Sequence, residues 1–185
     1  MALSDVLDIA HKLASQQISE KNPDLKDADK VAEEVGVGAV IFNDLKNERN
    51  LAIDFDMNKI VQFEGDTGPY VQYTNARANS ILRKSNYSLS GFNEDFKFYD
   101  QQAWPIIVRL SQYGQAVKRA WEMREPSIIA KYLLNLSRDF NSFYGNTVIL
   151  VDGPELPSRL ALVKATSTIL KRGLELLGVK APSQM

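Results

Sequence analysis

The sequence predicts a mainly α-helical protein, in which a helical bundle follows a shorter segment of helix and extended chain. Three observations support this. Apolar residues recur every three or four positions through most of the chain, a glycine-containing break interrupts it at 65–69, and the charge changes sign at this break. Residues 1–66 hold 7 Lys and Arg against 14 Asp and Glu, a net charge of −7, whereas residues 67–185 hold 15 against 9, a net charge of +6. We place a domain boundary between residues 66 and 67.

The composition is that of an ordinary water-soluble protein. The 185 residues are 44% hydrophobic and 24% charged, with a net charge of −1. No apolar run approaches the roughly 18 residues that a membrane span needs, and no secretory leader opens the sequence. The absence of cysteine excludes disulfides, thiolate metal sites and cysteine nucleophiles. We expect a cytoplasmic protein that has no membrane partner.

The acidic region begins with two predicted helices. Residues 3–20 and 27–41 carry apolar side chains at helical spacing, and Asp27 or a neighbour is suited to cap the second helix. Two short alternating runs follow, at 51–55 and 59–63, and they predict strands or extended segments.

The basic region predicts four amphipathic helices. The first begins near Thr67, a suitable N-cap residue. Three further apolar stripes lie at 106–121, at 128–143 after Pro126, and at 156–177 before Gly178. Such helices bury their stripes against one another as a bundle. The aromatic and turn-forming stretch between the first two helices, 85–100, predicts a loop or a short helical connection.

The first helix of the bundle separates its rings from its aliphatic residues. At 100° per residue, Tyr70, Tyr73, Arg77 and Lys84 share one stripe beside a distinct apolar stripe. This arrangement has two interpretations. Either the stripe faces a partner, or the rings are buried with their hydroxyls hydrogen-bonded and Arg77 packed over them. Helical geometry does not decide between them.

The basic region is also the aromatic region, since it holds all seven tyrosines, both tryptophans and five of the eight phenylalanines. Cations neutralise phosphates and flat rings stack on unpaired bases, so this composition suits a nucleic-acid surface. The same composition is typical of a helical core with a solvated exterior. A helical module that binds acidic proteins through a basic face is the alternative function.

Catalytic signatures are missing. His11 is the single histidine, so no histidine cluster can bind a metal, and we expect a structural or surface role for it. The glycine pairs at 36–40 and 65–68 lack the remaining residues of a phosphate-binding loop. The sequence therefore predicts no catalytic, cofactor-binding or metal-binding residue.

Five segments resemble the arginyl-tRNA synthetases. The most extensive are EGDTGPYVQYTNARANSILRK at 64–84 and ELPSRLALVKATSTILKRGLELLGVKAPSQM at 155–185. Between and before them, VAEEVGVGAVIFNDL at 31–45, YLLNLSRDFNSFY at 132–144 and VDGPELPSRL at 151–160 keep the order and spacing of that family.

The resemblance implies a carboxy-terminal piece of a class I synthetase. Residues 1–66 would be the tail of the catalytic domain and residues 67–185 a DALR-type anticodon-binding domain. The parent enzyme would join arginine to tRNA(Arg) with ATP and Mg²⁺, while the adenylation site would lie upstream of this sequence. The piece itself is expected to be non-catalytic, free of cofactors and monomeric, with the anticodon arm of an arginine tRNA as its partner.

The resemblance also implies a site. Tyr70 and Tyr73 correspond to residues that touch the anticodon arm, while Tyr144, expected in a loop, and Met185 would enclose the second anticodon base. Tyr144 is expected to be exposed, so that Tyr144→Ala leaves the fold nearly intact, and trimming Met185 is expected to cost similarly little stability. The side chains expected to neutralise phosphates are Arg77, Lys84, Lys164, Lys171 and Arg172. The sequence departs from the family at Asn75, where relatives often carry histidine.

Overall fold

The computed structural model describes residues 2–51, 55–85, 98 and 100–185. The described residues form eight helices and no strand. The helices are α1 (Leu3–Lys21), α2 (Ala28–Leu45), α3 (Met57–Ile60), α4 (Gly68–Ser85), α5 (Ala103–Ser111), α6 (Tyr113–Met123), α7 (Ser127–Asn146) and α8 (Leu156–Leu176). The mainly α fold class is confirmed. None of these helices combines the length and the low charge that crossing a lipid bilayer requires.

Helix α4 is the centre of the arrangement. It packs against α2 on one side and against α7 and α8 on the others, while α5 packs on α7 and α8. The main core lies among these helices and contains fully buried residues such as Leu133, Phe140 and Leu170. A smaller cluster joins Ile18 of α1 to Phe63 and to the last residue of the chain. The acidic region is therefore packed onto the bundle through α2 and α4.

The start of α4 follows the sequence prediction. Thr67 Oγ1 accepts a hydrogen bond from the Tyr70 amide at 3.1 Å, which satisfies one of the free donors of the first turn. Pro69 lies in that turn, where it has no intrahelical hydrogen bond to lose. Near the end of the sequence, Gly178 adopts φ of 73° just beyond α8, as is typical of a glycine at a helix end.

The prediction of an extended segment at 59–63 is wrong. Residues Met57–Ile60 form α3, and Asp56 caps it by accepting from the Asn58 amide at 3.0 Å. The Asp56 side chain thus supplies a hydrogen-bond partner for a backbone amide that has no neighbouring strand to pair with. Most of the other run, 51–55, lies outside the described residues, as does most of 85–100.

The stripe at 106–121 belongs to two helices, so the described part of residues 67–185 forms five helices where four were expected. The chain changes direction at Gln112, between α5 and α6. This turn places Tyr113 against Tyr132, with ring centroids 5.7 Å apart. Trp121, expected on the buried stripe, is 83% exposed, because the face of α6 that packs inward is the one with Ala116 and Ala120.

Asp27 takes the N-cap position of α2 but does not cap it with its side chain. Its backbone is left-handed, with φ of 58°, a conformation that aspartate tolerates better than most residues. The helix start was thus predicted correctly, whereas the capping hydrogen bond was not.

The glycines at 36–40 serve helix packing. A Cβ atom on Gly36 would lie 2.7 Å from the His11 amide nitrogen and 2.8 Å from the Ala10 carbonyl carbon, so α1 and α2 approach too closely for any side chain there. A Cβ atom on Gly38 would lie 2.8 Å from Gln72 Nε2. His11 itself lies beside α2, with its Nε2 3.1 Å from Asp29 Oδ1.

Gly36→Ala is expected to lower the free energy of unfolding by about 1–3 kcal/mol, because the new methyl group would push two helix backbones apart. Gly114→Ala in α6 is the matched control, since no atom lies within 4 Å of its Cβ position. That change is expected to leave stability unchanged or raise it by up to about 1 kcal/mol. Urea denaturation measures both, and equal effects would contradict the close approach of α1 and α2.

Candidate nucleic-acid interface

The tyrosines of α4 lie in two different environments. Tyr70 is half-buried against the main core, and its hydroxyl accepts a hydrogen bond from Asn141 Nδ2 at 3.1 Å. Tyr73 stacks on Phe63, with centroids 5.5 Å apart and an angle of 20° between the rings. Of the two interpretations of this stripe, packing inside the protein describes both rings better than free exposure does.

Arg77 joins Tyr73 to a ring from another helix. Its guanidinium carbon lies 4.8 Å from the Tyr73 centroid and 4.9 Å from the Tyr144 centroid. Phe63, Tyr73, Arg77 and Tyr144 therefore form a continuous series of contacts, which we call the stacking column. The Lys21 ammonium lies 5.6 Å from the Tyr73 centroid and adds a second cation beside this ring.

Tyr144 ends the column at the protein surface. The residue belongs to the last turn of α7, so the prediction of a loop is wrong, but its expected exposure is confirmed at 44%. Arg77 approaches its ring from within the protein, and the ring lines a surface groove. Tyr144 is thus the member of the column best exposed for an external ligand.

The groove beside Tyr144, which we call the stacking groove, has a volume of about 820 Å³. Its walls come from α4, the end of α7, residues 147–150 and the chain end. Lys84 is exposed there, and Val148 is 72% exposed. Five residues that the sequence analysis singled out line it together: Tyr73, Arg77, Lys84, Tyr144 and Met185.

Met185 lines this groove but is mostly buried. Only 8% of it is exposed, because it packs with Ile18, Phe63 and Ala76 in the smaller cluster. Its carbonyl oxygen accepts a hydrogen bond from Asn22 Nδ2 at 3.1 Å. This burial does not fit the expectation that trimming Met185 costs little stability, since the end of the chain is part of the folded structure.

Buried amide side chains hold the last residues, 179–185, across α4. Gln72 Nε2 donates to the Lys180 carbonyl oxygen at 2.8 Å, and Asn75 Nδ2 donates to that of Pro182 at 3.0 Å. Arg83 binds the Ser183 carbonyl oxygen at 3.0 Å. Gln72 and Asn75 are 0% and 1% exposed, so these bonds form away from water.

Sequence reasoning missed this role. Gln72, Asn75 and Asn79 recur at intervals of three and four, which places three amides on one face of α4. That spacing was the sequence signal that could have indicated a row of amides on α4. Asn75, considered only as a departure from histidine, donates to the chain end and accepts from Ser167 Oγ at 3.2 Å. Its burial keeps it from direct contact with a ligand.

The remaining predicted cations line a second depression, which we call the basic groove. Lys164, Lys171 and Arg172 of α8 lie along it, and its volume is about 440 Å³. Ala181 and Ser183 line the basic groove, whereas Gln184 and Met185 line the stacking groove. The chain end therefore separates the two grooves.

Two cations of the basic groove have a charged or titratable neighbour. Lys171 Nζ lies 3.9 Å from Glu175 Oε1, a loose pair on an exposed face. Arg172 lies near Tyr113, where burial of the ring raises the pKa of the hydroxyl and the Arg172 charge opposes this increase. Lys164 and Lys171 are exposed and accessible to an anion.

Within the described residues, five helices form a bundle with a ring-ended groove and a basic groove, an architecture that suits an α-helical RNA-binding domain. Residues 71–185 match the family described as "DALR anticodon binding domain". Residues 1–57 match the family described as "tRNA synthetases class I (R), catalytic domain". The chain belongs to the DALR family and corresponds to the carboxy-terminal part of arginyl-tRNA synthetases.

Individual relatives agree with this assignment. The chain is 63% identical over 183 residues to the arginine–tRNA ligase of Oenococcus oeni, and 57% identical to that of Leuconostoc mesenteroides. Each alignment covers 99% of this chain and 32% of the relative. The structure of Thermus thermophilus arginyl-tRNA synthetase matches with a TM-score of 0.91 and 36% identity, over 100% of this chain and 32% of that one. The chain thus spans about a third of the length of the relatives it matches.

Met185→Ala is expected to lower the free energy of unfolding by about 2 kcal/mol, because it leaves a cavity in the smaller cluster. Tyr144→Ala is expected to cost less than about 1 kcal/mol, since an exposed ring contributes mainly its contact with Arg77. Urea denaturation of the two variants tests this. A larger loss for Tyr144→Ala than for Met185→Ala would show that the burial assigned to each is wrong.

Proposed function

We propose that this chain binds the anticodon arm of an arginine tRNA and that an unpaired anticodon base stacks on Tyr144. The observation that carries the proposal is the half-exposed ring of Tyr144, which ends a column of stacked groups at the edge of a groove. Membership of the DALR anticodon-binding family supports RNA as the ligand.

The stacking groove suits a base that has left its helix. Recognition of single-stranded RNA depends on aromatic stacking, which is worth about 1–3 kcal/mol per base. Met185 contributes a thioether to the same groove, and sulfur makes favourable contacts with flat rings. Tyr144 and Met185 are therefore our assignment for the residues that enclose the second anticodon base. Tyr73 supports this pair from within the column, while Tyr70 supports α7 through Asn141.

The cations contribute through phosphates. We assign Lys84 to the phosphates nearest the stacked base, since it lines the stacking groove. Lys164, Lys171 and Arg172 are assigned to phosphates of the flanking strand, on the other side of the chain end. Such contacts give affinity that falls as salt rises, without reading the sequence.

The complete relatives are named arginine–tRNA ligases, and we propose that this chain serves the same reaction as part of such an enzyme. ATP and Mg²⁺ would act in the catalytic part, of which this chain matches only residues 1–57. The donor set does not fit a metal centre: across the described ranges, no three His, Asp or Glu side chains are grouped to hold an ion. We assign no catalytic step to these residues.

We place the boundary between the two parts at residues 66 and 67. The start of α4 at Gly68 and the match beginning at residue 71 support it. Because charging of tRNA serves translation, we further propose a cytoplasmic protein, and we expect it to act as a monomer.

Filter binding of the 185-residue chain to an arginine anticodon stem-loop tests the function, with the same RNA altered at the second anticodon base as the comparison. The wild-type chain is expected to prefer the unaltered RNA. Tyr144→Ala is expected to weaken that binding by about tenfold and to reduce the preference, because one stacking interaction is lost. Equal affinity of the wild-type chain for both RNAs would leave only general electrostatic attraction and would refute base recognition.

Lys164→Glu combined with Lys171→Glu is expected to weaken binding of both RNAs equally. The slope of log affinity against log salt is expected to fall by roughly one for each lost phosphate contact. Lys118→Glu combined with Arg119→Glu is the matched control, since these residues lie on α6 and line neither groove. If both double variants lost the same affinity, net charge alone would explain the effect and the basic groove would have no specific role.

A further inference from the structure

Arg77 is held differently from the other cations of the stacking groove. Lys84 and Arg83 are exposed, whereas Arg77 is half-buried. Rings contact its guanidinium at 4.8 Å and 4.9 Å, and one of its terminal nitrogens donates to Asn141 Oδ1. Two rings and one amide of the protein thus engage the guanidinium.

The groups that hold Arg77 are themselves fixed. Asn141 Nδ2 donates to the Tyr70 hydroxyl at 3.1 Å and to Thr74 Oγ1 at 3.0 Å, so the amide has one orientation that satisfies all three partners. Tyr73 is stacked on the buried ring of Phe63. Because both supports are rigid, the guanidinium plane has little freedom to turn.

We propose that Arg77 is a positioning residue for RNA recognition: its planar guanidinium sets the orientation of the Tyr144 ring before RNA binds. The proposal rests on the proposed function, and it gives Arg77 a role other than the phosphate contact that the sequence predicted. A pre-oriented ring saves the entropy of ordering it on binding. Specificity for the base then depends on the shape of Arg77 and not only on its charge.

Lysine cannot replace arginine in this role. An ammonium group is a compact, strongly hydrated point charge, whereas a guanidinium stacks flat on aromatic faces and hydrogen-bonds at its edges. Arg77→Lys would therefore keep the charge near the groove while removing the support of Tyr144. The two roles of Arg77 make opposite predictions for this substitution.

Binding of the two anticodon stem-loops over a salt series distinguishes the positioning role of Arg77 from a phosphate contact. Arg77→Lys is expected to weaken binding of the unaltered RNA by about tenfold, to reduce the preference for it, and to leave the salt slope unchanged. Lys84→Ala, on the same helix and in the same groove, is expected to lower the salt slope by about one and keep the preference. Arg119→Lys on α6 is the control for replacing an arginine by a lysine, and it should change neither the affinity, nor the preference, nor the salt slope.

A measurement without RNA tests the contact directly. The Arg77 Nε–H proton, close to two rings, is expected to resonate upfield of those of exposed arginines in the nuclear magnetic resonance spectrum. Tyr144→Phe should keep this shift, while Tyr144→Ala should move the resonance toward the exposed position. Thermal unfolding by circular dichroism confirms that each variant is folded.

The outcomes distinguish the two proposals. A wild-type chain that binds neither RNA refutes the proposed function, and the positioning role with it. A wild-type chain that binds and discriminates while Arg77→Lys does so equally well refutes the positioning role alone. An Arg77 resonance that is unchanged in Tyr144→Ala also refutes it.

Discussion

The hydrogen bonds from α4 to the last residues of the chain are the interaction on which the site depends. Gln72 and Asn75 are buried, so each must find a partner or incur the cost of an unsatisfied polar group. The carbonyl oxygens of Lys180 and Pro182 supply partners for the two amide nitrogens, while the buried Gln72 Oε1 has no hydrogen-bond partner among the described residues. As a result, a segment without secondary structure is fixed on the helix that carries Tyr73 and Arg77. Without it, the two grooves would merge into one open face and Met185 would leave its cluster.

This arrangement separates two kinds of side chain, rings and cations, that the sequence shows only as a mixture. Rings and cations share one region of the chain, yet the structure puts Tyr144, the best-exposed ring of the stacking column, on one side of the chain end and the cations of α8 on the other. The exposed ring of Tyr144 and the cations of α8 thus lie at different places, and each can be changed without the other. Arg77 links the two kinds of chemistry, because it is a cation that is used here as a flat surface.

Short sequence patterns predicted the features that neighbouring residues determine, such as helices and their starts. They failed for features that depend on contacts between distant residues. Periodicity gave the long helices, and Thr67 marked the start of α4 correctly. The sequence did not predict the change of direction at Gln112, because the apolar stripe continues through that residue. The burial of Met185 depends on Asn22, 163 positions earlier in the chain, which no window of sequence brings together with it. Helical geometry grouped Tyr73 with Arg77, but only the structure brings Tyr144 to the same guanidinium.

The bond between Asn22 and the Met185 carbonyl places the carboxyl terminus beside the last turn of α1. A purification tag fused after Met185 would have to leave the molecule at the wall of the stacking groove, where it would compete with any ligand and pull a buried side chain from its cluster. The amino terminus lies at the opposite end of the 19-residue α1, about 28 Å away along the helix axis. In binding experiments with the 185-residue chain, a label is therefore better attached before α1 than after Met185.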